Sequence, residues 1–206
     1  MFDMLIKLKD KTIFEKEIKE VYTECEVNKM KLLCIMDNGF EELEAVGTIA
    51  LLRRAGITID VAAVKGHEVT GRFELTFTNV KALDEVDSES YDGVFLPGGP
   101  HYQKIEQNDQ VKGILKSFFE KGKLTAAICA GPTVLGHMGL LKGKKYTCFT
   151  SMNEDFGGTY VDQYVVTDGN LITGRSAAAS IDMAFAIIEY VLGQEECEKV
   201  KQSVYY

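Results

Sequence analysis

From residue 31 onward, short apolar runs alternate with longer stretches whose apolar residues recur at helical spacing. Residues 31–36 form a nearly continuous apolar run, the pattern of a fully buried strand. Residues 42–55 are helical in period and stop at Gly56, which reads as a C-terminal cap. A strand is predicted over 58–64, and residues 69–79 alternate as an exposed strand or hairpin does. A buried strand over 93–96 is closed by Pro97-Gly98-Gly99-Pro100. The pattern then predicts a helix over 110–121, a strand over 124–128, a helix over 130–138 and a short strand over 146–149. Segments 160–166 and 170–174 flank Asp168-Gly169, a hairpin turn signal. An apolar helix over 180–192 and a short charged helix over 195–202 complete the pattern. Strands separated by helices imply βαβ units, so the expected architecture is α/β, a mainly parallel sheet with helices on both faces.

Residues 1–29 read differently. Phe14, Ile18, Val21, Tyr22 and Cys25 recur at helical spacing among Lys and Glu, which predicts one amphipathic helix. The division is therefore an N-terminal appendage over 1–29 and an α/β domain over 31–206. The appendage reads equally as a helix packed on the domain or a dimer, or as the product of an upstream start codon.

Charge and cysteine usage narrow the function classes. The 206 residues hold 23 basic and 31 acidic side chains, a net charge of −8 with no basic stripe, which argues against nucleic acid as a partner. No apolar run approaches the ~20 residues that span a bilayer, and the start lacks a secretory-signal pattern. The expected location is cytoplasmic. The five cysteines are dispersed and odd in number, without a C-x-x-C pair, and the three histidines do not cluster. Neither a disulfide framework nor a metal site is expected.

The segment from Leu124 to Leu135 carries the candidate chemistry. It reads as a strand ending in Cys129, which opens a helix. Ala127, Ala130 and Gly131 are small enough for the cramped strand-to-helix turn that exposes a nucleophile. A thiol at a helix N-terminus faces free N–H groups and the positive end of the dipole, so its thiolate is expected to be favoured. The bland alternative is one more buried cysteine. Pro97-Gly98-Gly99-Pro100 lacks the lysine and hydroxyl of a phosphate loop, and reads as a tight turn that brings backbone close to the cysteine. Glu41 and Glu42 read as solvated, whereas helical rotation points Glu44 elsewhere.

Several motifs in order carry a resemblance. Asp37-Asn-Gly-Phe-Glu-Glu-Leu-Glu44, Leu51-Leu-Arg-Arg-Ala-Gly56, Leu96-Pro-Gly-Gly99, Ala126-Ala-Ile-Cys-Ala-Gly-Pro132 and Thr173-Gly-Arg-Ser176 together resemble the ThiJ/PfpI superfamily, and its parkinsonism-associated protein deglycase branch in particular. The resemblance spans about residues 31–200. It implies a flavodoxin-like three-layer sandwich and a homodimer that needs no metal or organic cofactor. Cys129 matches the nucleophilic, oxidisable cysteine, and Glu44 the protonated carboxyl that hydrogen-bonds it. Gly99 and Ala130 match backbone N–H donors of an anion pocket. The implied activity is a deglycase or glyoxalase type, acting on methylglyoxal or its adducts with protein side chains. The alternative is a redox-responsive protective protein or chaperone in which Cys129 is oxidised to a sulfinic acid.

The departures matter as much. Hydrolytic members place a His after the cysteine, where this chain has Ala130, and the branch's nearby His matches Phe149. A peptidase or amidotransferase reading is therefore disfavoured. His101 is the histidine expected near the site, as a proton shuttle or else an exposed loop residue. Arg175 matches a position near the site, and Arg72 an arginine supplied across the dimer. His137 is expected to be packed or on the surface. Cys34 and Cys148 read as core, and Cys25 and Cys197 as peripheral.

Overall fold

The computed structural model describes residues 30–206; the helix expected within 1–29 lies outside them. The central sheet has seven strands: β1 (Lys31–Met36), β2 (Thr58–Ala63), β5 (Lys81–Ala82), β6 (Gly93–Leu96), β7 (Leu124–Ile128), β10 (Val165–Asp168) and β11 (Leu171–Gly174). Their order is β10-β11-β7-β6-β1-β2-β5, and every pairing is parallel except that of β10 with β11. Two small sheets lie outside it, the hairpin β3 (Glu68–Thr70) with β4 (Thr76–Thr78), and β8 (Lys145–Tyr146) with β9 (Thr159–Tyr160).

Alternation along β1 divides the core in two. Leu32, Cys34 and Met36 pack with Ala45, Ile49 and Leu52 of α1 (Glu42–Arg54) and with Met183, Ile187 and Ile188 of α5 (Ser180–Leu192). Leu33 and Ile35 face the opposite side. There they join Val111, Leu115 and Phe118 of α3 (Asp109–Glu120), and Val134 and Leu135 of α4 (Gly131–His137). Two more helices are short: α2 (Tyr102–Glu106) and α6 (Gln194–Ser203). This is the three-layer α/β sandwich of flavodoxin-like type. Between β1 and β6 the chain reverses its direction of winding, and open α/β sheets place their sites at the carboxyl ends of the strands flanking such a switch point.

Local chemistry fixes the helix that matters most. Glu41 caps α1, its side chain accepting the Glu44 N–H at 2.9 Å, and acidic residues in the first turn complement the dipole while Arg53 and Arg54 close the last. Gly56 follows the Ala55 cap at φ +81°, a left-handed conformation that favours glycine.

Three expectations are corrected. Cys197 is buried, not peripheral, its thiol directed at the Phe185 carbonyl where α6 packs on α5. The strand over 146–149 ends at Tyr146 because the next donors go elsewhere: Thr147 N–H to Thr173 Oγ1 and Phe149 N–H to the Cys129 carbonyl. The segment over 160–166 is two elements, since Tyr160 pairs with Tyr146 while Val165 begins the edge strand of the main sheet. The turn at Asp168-Gly169 does join antiparallel strands.

Because α1 is held to the sheet by its buried face, Leu52→Ala is expected to destabilise the fold by about 2–5 kcal/mol. Urea unfolding should show a lower midpoint at unchanged slope; an unchanged midpoint contradicts this packing.

Candidate active site

Three loops meet at the carboxyl ends of β1, β6 and β7. Glu41 N–H donates to the Gly98 carbonyl at 2.8 Å, and His101 N–H donates to the Gly39 carbonyl at 3.2 Å, so the first two are zipped together. The approach is so close that a Cβ on Gly99, at φ +96°, would strike Glu41 N and the Gly39 carbonyl. A Cβ on Gly98 would lie 2.7 Å from both Cys129 Cβ and Glu44 Oε2. The tight turn read from the sequence therefore does bring backbone against the cysteine, and it does so through Gly98.

Cys129 lies at the bend between β7 and α4 with φ +62°, a conformation that a side chain other than glycine's rarely adopts. Neighbouring segments over-determine it. Its N–H donates to the Gly174 carbonyl at 2.9 Å, and its carbonyl accepts the Phe149 N–H at 2.8 Å. A Cβ on Gly131 would lie 2.8 Å from the Leu96 carbonyl, so the small residues in this segment are required by space. The side chain is partly buried.

Glu44 is completely buried on α1. Its Oε2 accepts the Gly98 N–H at 2.7 Å, and its Oε1 is buried with no hydrogen-bond partner among the described residues. Burial pushes the carboxyl up to about 7, against the opposing pull of the Cys129 thiol, the Gly98 amide and Arg72, while Glu41 adds to the rise. Burial also pushes the Cys129 thiol up, reinforced by the negative charge of Glu44, with only the Ala130 N–H favouring the thiolate. The expectation of a thiolate stabilised by the helix end is thus corrected: desolvation and a neighbouring carboxylate outweigh one short helix. Ionising either group opposes ionising the other, so the two titrate as a coupled pair in which the carboxyl gives up its proton first. A proton on Oε1 turns that orphaned oxygen into a donor.

The other candidates fall into place around this pair. The Ala130 N–H favours the Cys129 thiolate, and Gly99 N–H has no acceptor among the described residues. His101 is neither exposed nor a shuttle. It is completely buried, its Nδ1 accepts the Asp37 N–H at 3.1 Å, and its Nε2 lies 2.8 Å from the Pro97 carbonyl. Both nitrogens are spent on pinning the two loops, and burial lowers the ring to about 4, so it is neutral. Arg175 binds Asp162 at 2.8 Å and stacks over Tyr164, while the carbonyl preceding it holds the Cys129 N–H. His137 lies between Glu106 and Glu154 on the surface. Cys34 and Cys148 are core, as expected.

Glu41 and Glu42 are buried, not solvated. The Glu41 carboxylate is turned inward to cap α1, and Glu42 Oε1 accepts the Phe73 N–H from the turn between β3 and β4. Glu is not among the usual capping residues, and Glu41 N–H is taken by the Gly98 carbonyl, so the residue type did not announce this cap. Nothing local announced the Glu42 contact, which spans 31 residues.

Comparison with known proteins finds related chains and related folds. The DJ-1/PfpI family profile matches residues 30–190. Protein dj-1beta of Drosophila melanogaster is 36% identical over 177 residues, covering 84% of this chain and 95% of that protein. A deglycase of Thermococcus kodakarensis is 35% identical over 149 residues, covering 71% of this chain and 90% of its own length. Among solved structures, Drosophila DJ-1beta superposes with a TM-score of 0.80 at 34% identity, covering 86% of this chain and 98% of that one. An oxidized DJ-1 of Toxoplasma gondii superposes at 0.79 with 28% identity, over 86% and 98% of the two chains.

The two buried titratable groups give opposite pH dependences. Folded Glu44 keeps its proton up to about 7 while the unfolded chain loses it near 4.5, so its contribution to stability falls as pH rises through that window. Folded His101 refuses a proton down to about 4 that the unfolded ring binds below 6.5, so its contribution rises with pH there. Glu44→Gln removes the first slope alone. Its stability relative to the parent chain should rise by on the order of 3 kcal/mol between about pH 4.5 and 7, read from denaturant midpoints. A pH-independent difference contradicts the elevated carboxyl.

Proposed function

The chain belongs to the DJ-1/PfpI family, and on that premise we propose that it is a cysteine-dependent deglycase acting on methylglyoxal adducts of protein side chains, or on methylglyoxal itself. The observation that carries this reading is the Cys129–Glu44 pair at the switch point of the sheet: a buried carboxyl raised to about 7, so poised near neutrality, beside a thiol that desolvation and that carboxyl keep protonated. That relatives of similar length are named deglycases supports it.

With the proton on Glu44, the sulfur bonds to the aldehyde carbon and the carbonyl oxygen takes the carboxyl proton, giving a hemithioacetal. The Glu44 carboxylate then removes the hydrogen from that carbon, giving an enediolate, and returns it to the adjacent ketone carbon while the hydroxyl proton passes from the first oxygen to the second, leaving a thioester. Water cleaves the thioester to lactate and the free thiol. The Ala130 and Gly99 N–H groups stabilise the oxyanion of each addition. No step calls on a histidine, and none of the three is free: His67 faces the Val80 carbonyl and Glu85, while His101 and His137 are engaged as described.

A homodimer fits the exposed Leu43 and Val46 on α1 and Ile181 on α5, two helices that pack together and leave these apolar side chains beside the site. The four unpaired cysteines among the described residues fit a reducing compartment such as the cytoplasm.

Purified protein should convert methylglyoxal to lactate, with Cys129→Ala reducing the rate to background and Glu44→Gln lowering kcat roughly 100-fold or more. Equal rates in the parent chain and Cys129→Ala contradict the proposal.

A second reading is favoured by two observations, the Gly99 N–H left without an acceptor among the described residues near the site and the oxidized state of one solved relative. On it, the protein senses peroxide, and the sulfinate of Cys129 is held by that amide and by protonated Glu44. Intact-mass titration with peroxide should then stop at two added oxygens on Cys129; oxidation scattered over the other thiols rejects it.

A further inference from the structure

The peptide unit between Pro97 and Gly98 is held at both of its polar groups. Its N–H, that of Gly98, donates to Glu44 Oε2 at 2.7 Å. Its carbonyl, that of Pro97, lies 2.8 Å from Nε2 of the buried His101 ring. The other nitrogen of that ring settles which group donates. Asp37 N–H can only give a hydrogen bond, so Nδ1, 3.1 Å away, is the acceptor. The ring proton is therefore on Nε2, and Nε2–H donates to the Pro97 carbonyl. Burial keeps the ring neutral, while the charges of Asp37 and Lys104 act on it in opposite senses.

A trans peptide unit is planar and points its N–H and carbonyl in opposite directions, so turning one turns the other. The torsions that turn this unit are ψ of Pro97 and φ of Gly98. The proline ring fixes only its own φ, and glycine restricts φ less than any other residue. The Gly98 carbonyl belongs to the next unit and is held separately, by Glu41 N–H at 2.8 Å. Rotating ψ of Pro97 against φ of Gly98 leaves that neighbouring unit in place. The direction of the Gly98 N–H is thus set by the hydrogen bonds at the two ends of its own unit.

We propose that His101 is a positioning residue: by gripping the Pro97 carbonyl, its ring aims the Gly98 N–H at the Glu44 carboxyl. Both ring nitrogens are engaged by backbone, so His101 acts on Glu44 through this peptide unit. The consequence is electrostatic. The Gly98 hydrogen bond favours the Glu44 carboxylate against the burial that disfavours it. An N–H turned away leaves the carboxyl protonated to higher pH and makes it a poorer proton acceptor near neutrality. The inference rests on Glu44 being the acid–base group of the proposed reaction, but its test needs no substrate.

The test is a carbon-13 NMR titration of the Glu44 side-chain carboxyl, assigned by the signal lost in Glu44→Gln. His101→Leu should raise the midpoint by roughly 0.5–1.5 pH units, because a hydrogen bond to the charged form is lost. His101→Gln offers an amide oxygen to Asp37 N–H and an amide N–H to the Pro97 carbonyl, and should hold the parent midpoint. Nitrogen-15 spectra of the parent chain keep the proposal open to refutation if His101→Leu fails to fold: at neutral pH they should show the ring proton on Nε2. A proton on Nδ1 overturns the proposal. So does a Glu44 midpoint unmoved in His101→Leu, or moved equally by His101→Leu and His101→Gln. A parent midpoint at the ordinary carboxyl value of 4.5 would instead remove the raised carboxyl on which the proposed function stands, and the His101→Leu shift would still decide the inference separately.

Discussion

A fully buried carboxyl set against a partly buried thiol is the constraint around which this molecule is arranged. A carboxyl alone in that position would be neutral and inert, and a thiol alone would stay protonated under the same desolvation. Side by side they are different. Whichever one carries a proton becomes a donor to the other, and ionising one makes ionising the other costlier.

The fold supplies this constraint through close backbone approach more than through side chains. β1, β6 and β7 end at one edge, and the loops that follow are joined by main-chain hydrogen bonds and by the buried, neutral ring of His101. Gly98 donates to Glu44 from a position where any side chain would collide with both members of the pair. The positive φ of Cys129 is the strain that this packing sustains. Rigid loops on a parallel sheet hold the sulfur where a helix dipole alone would not have activated it.

Much of this was legible in the sequence because it follows from period and size. The buried strands over 31–36, 93–96 and 124–128, the helix ending at Gly56 and the elbow of small residues at Cys129 each reflect a local rule. The motif order did the rest for Glu44. What misled was context. Glu41 and Glu42 look like solvated helix residues until the capping geometry and a turn 31 residues away are in view. His101 was read by its place in a loop, yet that loop is sealed by its partner. The thiol was read from the helix that follows it, whereas desolvation and Glu44 come from the tertiary structure. Cys197 lies on a polar helix whose only buried positions are itself and Val200.

The most direct measurement is the ultraviolet thiolate titration of Cys129, obtained as the difference between the parent chain and Cys129→Ser, with and without Glu44→Gln. Coupling between the two acids predicts that the amide variant ionises the thiol at distinctly lower pH, because the opposing carboxylate is gone while the site is as buried as before. Superimposable titrations in the two backgrounds would mean that Cys129 and Glu44 are neighbours without being coupled.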